Sequence, residues 1–189
     1  MPLISTLANA SARGYRTFGA AGEINSYESI QTVLVGSGGT SSVDFTSIPS
    51  TYKHLQIRFI TNHASNQDLY MRFNGDTTGA NYTRHYLYGT GSAAAAGANV
   101  SDGRLSIGYT STSANIFGGG VTDVLDYTST NKNKTIRSLA GFDGNGSGLI
   151  VLYSGLWSKT PEAITSISIF PNSGNINQYS SFALYGIKG

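Results

Sequence analysis

At 189 residues the chain is long enough to bury a core as one domain, and its lack of cysteine excludes disulfides and thiolate metal sites. Charged residues make up only 12% of it and the formal net charge is +2, too small and too scattered for an electrostatic nucleic-acid binder. No apolar run reaches the roughly 18–20 residues of a membrane-crossing helix, so membrane insertion is not expected, and Gly, Ser, Thr, Asn and Tyr supply a surface of hydroxyls and amides instead of charges.

Residues 1–25 differ from the rest. Met1 to Ala12 lacks the basic start and long apolar stretch of a secretory signal. Small residues separate the apolar anchors Leu3, Ile4, Leu7, Tyr15 and Phe18, with Arg13 and Arg16 among them. A loose leader is one reading, since termini are commonly untied. Five large apolar residues on a solvent-exposed leader are unusual, which favours an arm that orders against a partner. Its docking residues would be Leu3, Ile4, Leu7, Arg13, Tyr15, Arg16 and Phe18.

From Ser26 the pattern is that of strands. In Ser26 to Val35, Tyr27, Ser29, Gln31, Val33 and Val35 alternate with Glu28, Ile30, Thr32 and Leu34. Gly36-Ser37-Gly38-Gly39 then predicts a turn, with Thr40 to Phe45 returning as the hairpin partner. Ile48-Pro49-Ser50-Thr51 is a corner. Tyr52 to Thr61 follows, with Leu55, Ile57 and Phe59 on one face and His54, Gln56 and Arg58 on the other. Leu69 to Phe73 is a short strand ended by the turn Asn74-Gly75-Asp76. Tyr82, Arg84, Tyr86 and Tyr88 then alternate with Thr83, His85 and Leu87, so one face presents a tyrosine ladder. Gly89 to Asn99 reads as a loop, because four alanines are too few to nucleate a helix. Leu105 to Tyr109 is a strand, and Ser111 to Gly120 a loop whose Phe117 packs back.

Residues 121–189 contain five runs rich in β-branched and aromatic residues: VTDVLDYT, KTIRSLAGF, GLIVLYSGLW, AITSISIF and YSSFALYGI. Leu149 to Leu152 is apolar without a break, as in a strand covered on both faces, and Tyr153, Gly155 and Trp157 mark a bend and an anchoring ring. Ala163 to Phe170 reads as another strand buried on both faces near its end. The sum is all-β, a single antiparallel β-sandwich of jelly-roll type with about eight to ten strands over residues 26–189, preceded by the arm.

Little in the chain points to chemistry. His54, His63 and His85 do not have a metal-ligand spacing, and isolated histidines are the simpler reading. Lys132 and Lys134 read as a solvated loop tip. Asp143-Gly144-Asn145-Gly146-Ser147 resembles the start of a calcium loop without its later bidentate acid, and a hairpin turn explains the same residues. Asp123 and Asp126 are too close in sequence to face each other across a glycosidase cleft. Hydrolase, zinc-protease and nucleotide motifs are absent, so the expectation is a protein without enzymatic activity, cofactor or bound metal. What recurs is tyrosine and amide: Tyr82, Tyr86 and Tyr88, with Asn62, Asn66, Asn74 and Asn81 in nearby loops. Together with Trp157 these would suit a lectin-like face for a host-surface glycan; tyrosine also suits strands and subunit contacts.

The segments LISTLANASARGYRTFG, SIPSTYKHLQIR, RFNGD and YSSFALYGIKG resemble small structural proteins of tailed bacteriophages, many of them infecting aquatic cyanobacteria. The resemblance spans nearly the whole chain and includes no catalytic motif. It implies a virion component partnered with other virion proteins: a tail-fibre or baseplate appendage with an N-terminal docking peptide, or a capsid decoration protein of the same plan.

Edge strands normally carry lysines, prolines or bulges that prevent pairing with other chains. Here Pro49, Lys53, Lys132, Lys134, Lys159, Pro161, Pro171 and Lys188 are the only Lys or Pro beyond the arm, and most fall in turns. A homo-oligomer is therefore expected, a trimer by the same resemblance, with Tyr82, Tyr86 and Tyr88 at a subunit or receptor contact.

Overall fold

A computed structural model describes residues 26–65 and 67–189 of the chain. The proposed docking residues Leu3, Ile4, Leu7, Arg13, Tyr15, Arg16 and Phe18 lie outside the described residues, as does Asn66. The strands are β1 (Tyr27–Leu34), β2 (Val43–Phe45), β3 (His54–Thr61), β4 (Asp68–Phe73), β5 (Tyr82–Gly89), β6 (Ala94–Val100), β7 (Leu105–Tyr109), β8 (Gly118–Leu125), β9 (Lys134–Asp143), β10 (Gly148–Trp157), β11 (Ile167–Pro171) and β12 (Ser181–Ile187). They form an eight-stranded sheet in the order β1-β12-β3-β8-β9-β10-β5-β6 and a four-stranded sheet in the order β2-β11-β4-β7. Every pairing is antiparallel, and the two sheets make the expected β-sandwich.

Alternation builds the core. Leu55, Ile57 and Phe59 of β3 point inward with Phe182 and Leu184 of β12; Leu69, Met71 and Phe73 of β4 and Ile167 and Ile169 of β11 meet them from the small sheet. Each such side chain contributes about 1.5–3 kcal/mol by leaving water. Phe59 stacks on Phe182 with ring centroids 6.0 Å apart, and at the other end of the core Phe73 meets Trp157 at 5.4 Å.

Several expectations are corrected. The hairpin over residues 26–45 does not form: β1 pairs with β12, and β2 with β11 in the opposite sheet. The glycine turn instead carries the chain between sheets, and at Gly39 a Cβ would lie 2.5 Å from the Ile176 carbonyl oxygen. In β1 a bulge between Ser29 and Gln31 breaks the simple alternation, so Ile30 and Val33, of opposite parity, both pack on the core. Gly89 to Asn99 is not all loop, because β6 pairs with β5 and its alanines occupy the sheet edge without needing burial. The described residues form twelve strands rather than eight to ten.

Two strands expected to be covered on both faces are covered on one. In β10 Val151 is buried, but Ile150 and Leu152 are 61% and 50% exposed. β11 starts only at Ile167 and buries Ile167, Ile169 and Pro171, leaving Ser168 and Phe170 half-buried. Lys134 is not a solvated tip. Its stem is buried, its Nζ donates to the Ser129 carbonyl at 2.5 Å and lies 5.9 Å from the Trp157 ring, and burial lowers its pKa.

Candidate functional site

The large sheet is wider than the small one, and the difference makes a cleft. β7, the last strand of the small sheet, packs on β9 and β10. Towards β6 the described residues cover the inner faces of β10, β5 and β6 only in part. A cavity of about 420 Å³ lies there, with Asp68 and Tyr70 of β4 and Ser106 and Tyr109 of β7 on one side. On the other side are Arg84, Tyr86 and Tyr88 of β5 with Leu149, Val151 and Tyr153 of β10. Thr90 and Asn99 stand exposed at its rim.

The tyrosine platform follows from register. Tyr86 pairs with Tyr153 and with Gly97, and Tyr88 pairs with Val151. Gly97 is needed there: a Cβ would sit 2.5 Å from the Tyr86 Oη. With nothing beneath it, the Tyr86 ring lies flat enough to stack on Tyr88, centroids 6.2 Å apart at 25°, and to meet Tyr153 at 6.2 Å and 55°. Across the cleft Tyr109 stacks on Phe142 at 6.3 Å and donates its hydroxyl to Gln67 Oε1 at 2.5 Å. Burial raises the pKa values of Tyr70, Tyr109 and Tyr153, so all three are neutral phenols at pH 7.

The polar groups are held as firmly. Arg84 is 6% exposed; its Nη1 donates to Asp102 Oδ2 at 2.5 Å and to the Arg104 carbonyl at 3.2 Å, and its guanidinium lies 5.5 Å from the Tyr70 ring. Arg104 covers the same ring at 3.8 Å. The buried Nε of Arg84 has no hydrogen-bond partner among the described residues. Burial raises the pKa of Asp68, against the charge of Arg84 and a hydrogen bond with Tyr70. Burial also pushes Asp102 up, but the hydrogen bond and charge of Arg84 outweigh it and leave Asp102 below its ordinary value. The cleft thus offers aromatic faces for C–H groups, with Arg84 and Asp68 in its lining.

No family model and no curated protein matches this sequence. Solved structures resemble it in fold only. A galectin of Caenorhabditis elegans is 8% identical, with 80% of this chain and 94% of that one covered, at a TM-score of 0.36. Toad ovary galectin, solved with thio-digalactose, is 8% identical over 77% of this chain and 98% of its own, at 0.33. The baseplate tripod of bacteriophage Tuc2009 is 8% identical over 84% of this chain and 64% of its own, at 0.22.

Of the sequence-derived candidates, Tyr86 and Tyr88 come together in the cleft. Tyr82 does not join them. It shares their face of β5 but is fully buried at the covered end, 6.5 Å from Trp157, with its hydroxyl accepting from the Phe73 amide at 3.2 Å and burial raising its pKa to about 12. Trp157 is likewise core, its Nε1 donating to Asp76 at 2.8 Å, and is no part of an exposed sugar-binding face. The loop amides are structural. Asn62 donates to the carbonyls of Ser113 and Ile116 at 2.9 and 2.7 Å, Asn74 accepts from the Thr165 and Ser166 amides, and Asn81 donates to Asp76. Among the described residues no group of three or more metal-ligating side chains converges, and Asp143 caps its hairpin turn by accepting from the Asn145 amide at 2.8 Å.

Sequence reasoning missed Asp68, Tyr70, Tyr109 and Asn99. Arg84 could have been found, since it shares the parity of Tyr86. Nothing local marks the residues that β4 and β7 bring from the other sheet.

The opposite face of the large sheet is of another kind. Cross-strand register places Leu87, Leu152, Leu139 and Val121 in one row over β5, β10, β9 and β8, with Ile150 and Ile60 in the next. The four leucines and isoleucines at its centre, Leu87, Leu139, Ile150 and Leu152, are 48–61% exposed.

Proposed function

We propose that the chain is a non-enzymatic component of a tailed-phage virion, a tail-fibre or baseplate appendage module, that holds a saccharide of the host surface in its tyrosine cleft. The virion placement is supported by the phage-like segments, the apolar-dotted arm and the uncharged polar surface. The observation that carries the saccharide reading is the stacked Tyr86–Tyr88 platform facing Tyr70 and Tyr109 across about 420 Å³, within the roughly 300–1,000 Å³ usual for small-molecule sites. A binding role is favoured over hydrolysis because Asp68 is the single carboxylate among the described residues lining the cleft, where a glycosidase commonly uses two.

Retention of the full chain on immobilised host envelope polysaccharide, weakened by Tyr88→Ala, is the expected result; no retention even at millimolar concentrations of immobilised sugar would end the saccharide reading. Immunogold label is expected on the tail, and label on the head shell would make this a capsid decoration protein. Removal of residues 1–25 is expected to leave a folded domain that no longer joins particles.

Self-association, in the form of a trimer, belongs to the same proposal, with the outer face of the large sheet as the contact between copies. At about 4.8 Å per strand and 3.3 Å per residue, eight strands of about eight residues present roughly 1,000 Å², enough for the roughly 800 Å² per partner of a standard interface.

A further inference from the structure

We infer that the ligand is an oligosaccharide, held with one sugar residue on the tyrosine platform and the next in a hollow between two hairpin tips. This rests on the saccharide reading and extends it. The hollow follows from hairpins of unequal length. The ladder between β5 and β10 ends at the pair of Gly89 and Ile150, and β5 and β6 stop at the same place, with Gly89 opposite Ala94. β9 and β10 run on, through Phe142 opposite Leu149 to Asp143 opposite Gly148. Past the end of the shared ladder the two tips separate around about 410 Å³, lined by Thr90 and Gly91 on one side and by Phe142, Ser147 and Leu149 on the other.

The hollow continues the cleft, because Thr90 and Leu149 line both. At its deep end the cleft is closed by protein: Ser106, Val151 and Tyr153 are no more than 6% exposed. Thr90 at the rim is exposed, so a ring lying on Tyr86 and Tyr88 has its open side towards the hollow. The two spaces, about 420 and about 410 Å³, are alike in size, as two similar units in a row require. Aromatic surface crosses the boundary as well: Tyr109 lines the cleft, Phe142 lines the hollow, and the two rings stack at 6.3 Å. The outer walls of the hollow are low. Gly91 and Gly146 have φ of +88° and +106°, and among the described residues a Cβ at either would meet nothing within 4 Å. That side is open to solvent, and a longer chain leaves the protein there.

The test uses the full-length protein and the host polysaccharide that retains it, cut by mild acid and separated into mono-, di- and trisaccharide fractions for calorimetric titration. The expected result is that the disaccharide binds about tenfold or more tighter than the monosaccharide. Ser147→Leu, which adds bulk to the hollow from an exposed turn position, is expected to remove that gain, with circular dichroism reporting that the fold is kept. The length series on the parent chain decides by itself should that variant not fold. A monosaccharide binding as tightly as the longer fragments, a length gain that Ser147→Leu leaves in place, or an equal loss for both lengths overturns the inference and leaves the saccharide reading standing. No retention on the polysaccharide overturns both.

Discussion

Strands β5 and β10 carry two unlike surfaces back to back. On their inner side stand Tyr86, Tyr88 and Tyr153, part covered by β7; on the outer side stand Leu87, Ile150 and Leu152, covered by none of the described residues. The residues alternate one by one along the same two strands, so neither propensity nor backbone geometry distinguishes the faces. What differs is what each side chain can offer to water. A tyrosine at a half-open site keeps its hydroxyl hydrated while its ring waits for an apolar partner, whereas an exposed leucine has no polar atom and is stabilised only by another protein surface. On the proposed function the first face meets a small ligand and the second a second copy.

The sharpest way to break this comparison is to cut neighbouring residues on opposite faces. Tyr153→Ala is expected to cost about 3–5 kcal/mol, because a buried ring is lost from the inner face, while Leu152→Ala in the separated protomer is expected to stay within about 1 kcal/mol. Urea titration of both variants checks this, and equal losses would mean that Leu152 is packed in the separated protomer. Next in size, the double change Leu139→Glu and Leu152→Glu is expected to convert an oligomer to monomer at micromolar concentration with little change in melting temperature. Light scattering reads the result; a wild-type monomer would remove the proposed contact altogether.

Tyr88→Ala should leave the oligomer intact and lower saccharide affinity about tenfold or less, in keeping with the roughly 0.5–1.5 kcal/mol of an aromatic contact. An effect of that change on oligomer state would assign Tyr88 to a subunit contact instead. The smallest effect concerns Asp68. Its folded pKa is raised by burial, so the folded state holds its proton to higher pH than the unfolded chain, and stability falls as pH rises from about 4 through the raised value. Asp68→Asn is therefore expected to raise the melting temperature slightly at pH 7 and to flatten its dependence on pH in that window. A lower melting temperature at pH 7 would show that the carboxylate stabilises the cleft through Arg84.

Acid should act in the opposite direction at the far end of the core. Burial pushes Asp76 up, but hydrogen bonds from Trp157, Thr78 and Asn81 hold it well below its ordinary value, so its contribution is present above about pH 4 and lost as pH falls towards the folded value. Comparing Asp76→Asn with the parent chain at pH 7 and pH 3 checks the sign: the gap between them should close in acid.

Period-two alternation and turn residues by themselves determined most strand positions, including β3, β7, β9 and β10, and placed Tyr86, Tyr88 and Arg84 on one face. Such signals are local: the pleat sends successive side chains to opposite sides whatever the strand pairs with. Only the tertiary structure decided the partners. β1 pairs with β12 at the far end of the chain, and the alanine run becomes β6 because β5 supplies a ladder, which no residue inside either segment encodes. Burial was equally non-local. The apolar run Leu149 to Leu152 reads as a strand covered on both sides, yet among the described residues a four-stranded sheet facing an eight-stranded one leaves one face bare and part of the other open. That mismatch in width separates Tyr82, under the small sheet, from Tyr86 and Tyr88 beyond its edge, and brings Asp68, Tyr70 and Tyr109 across to meet them.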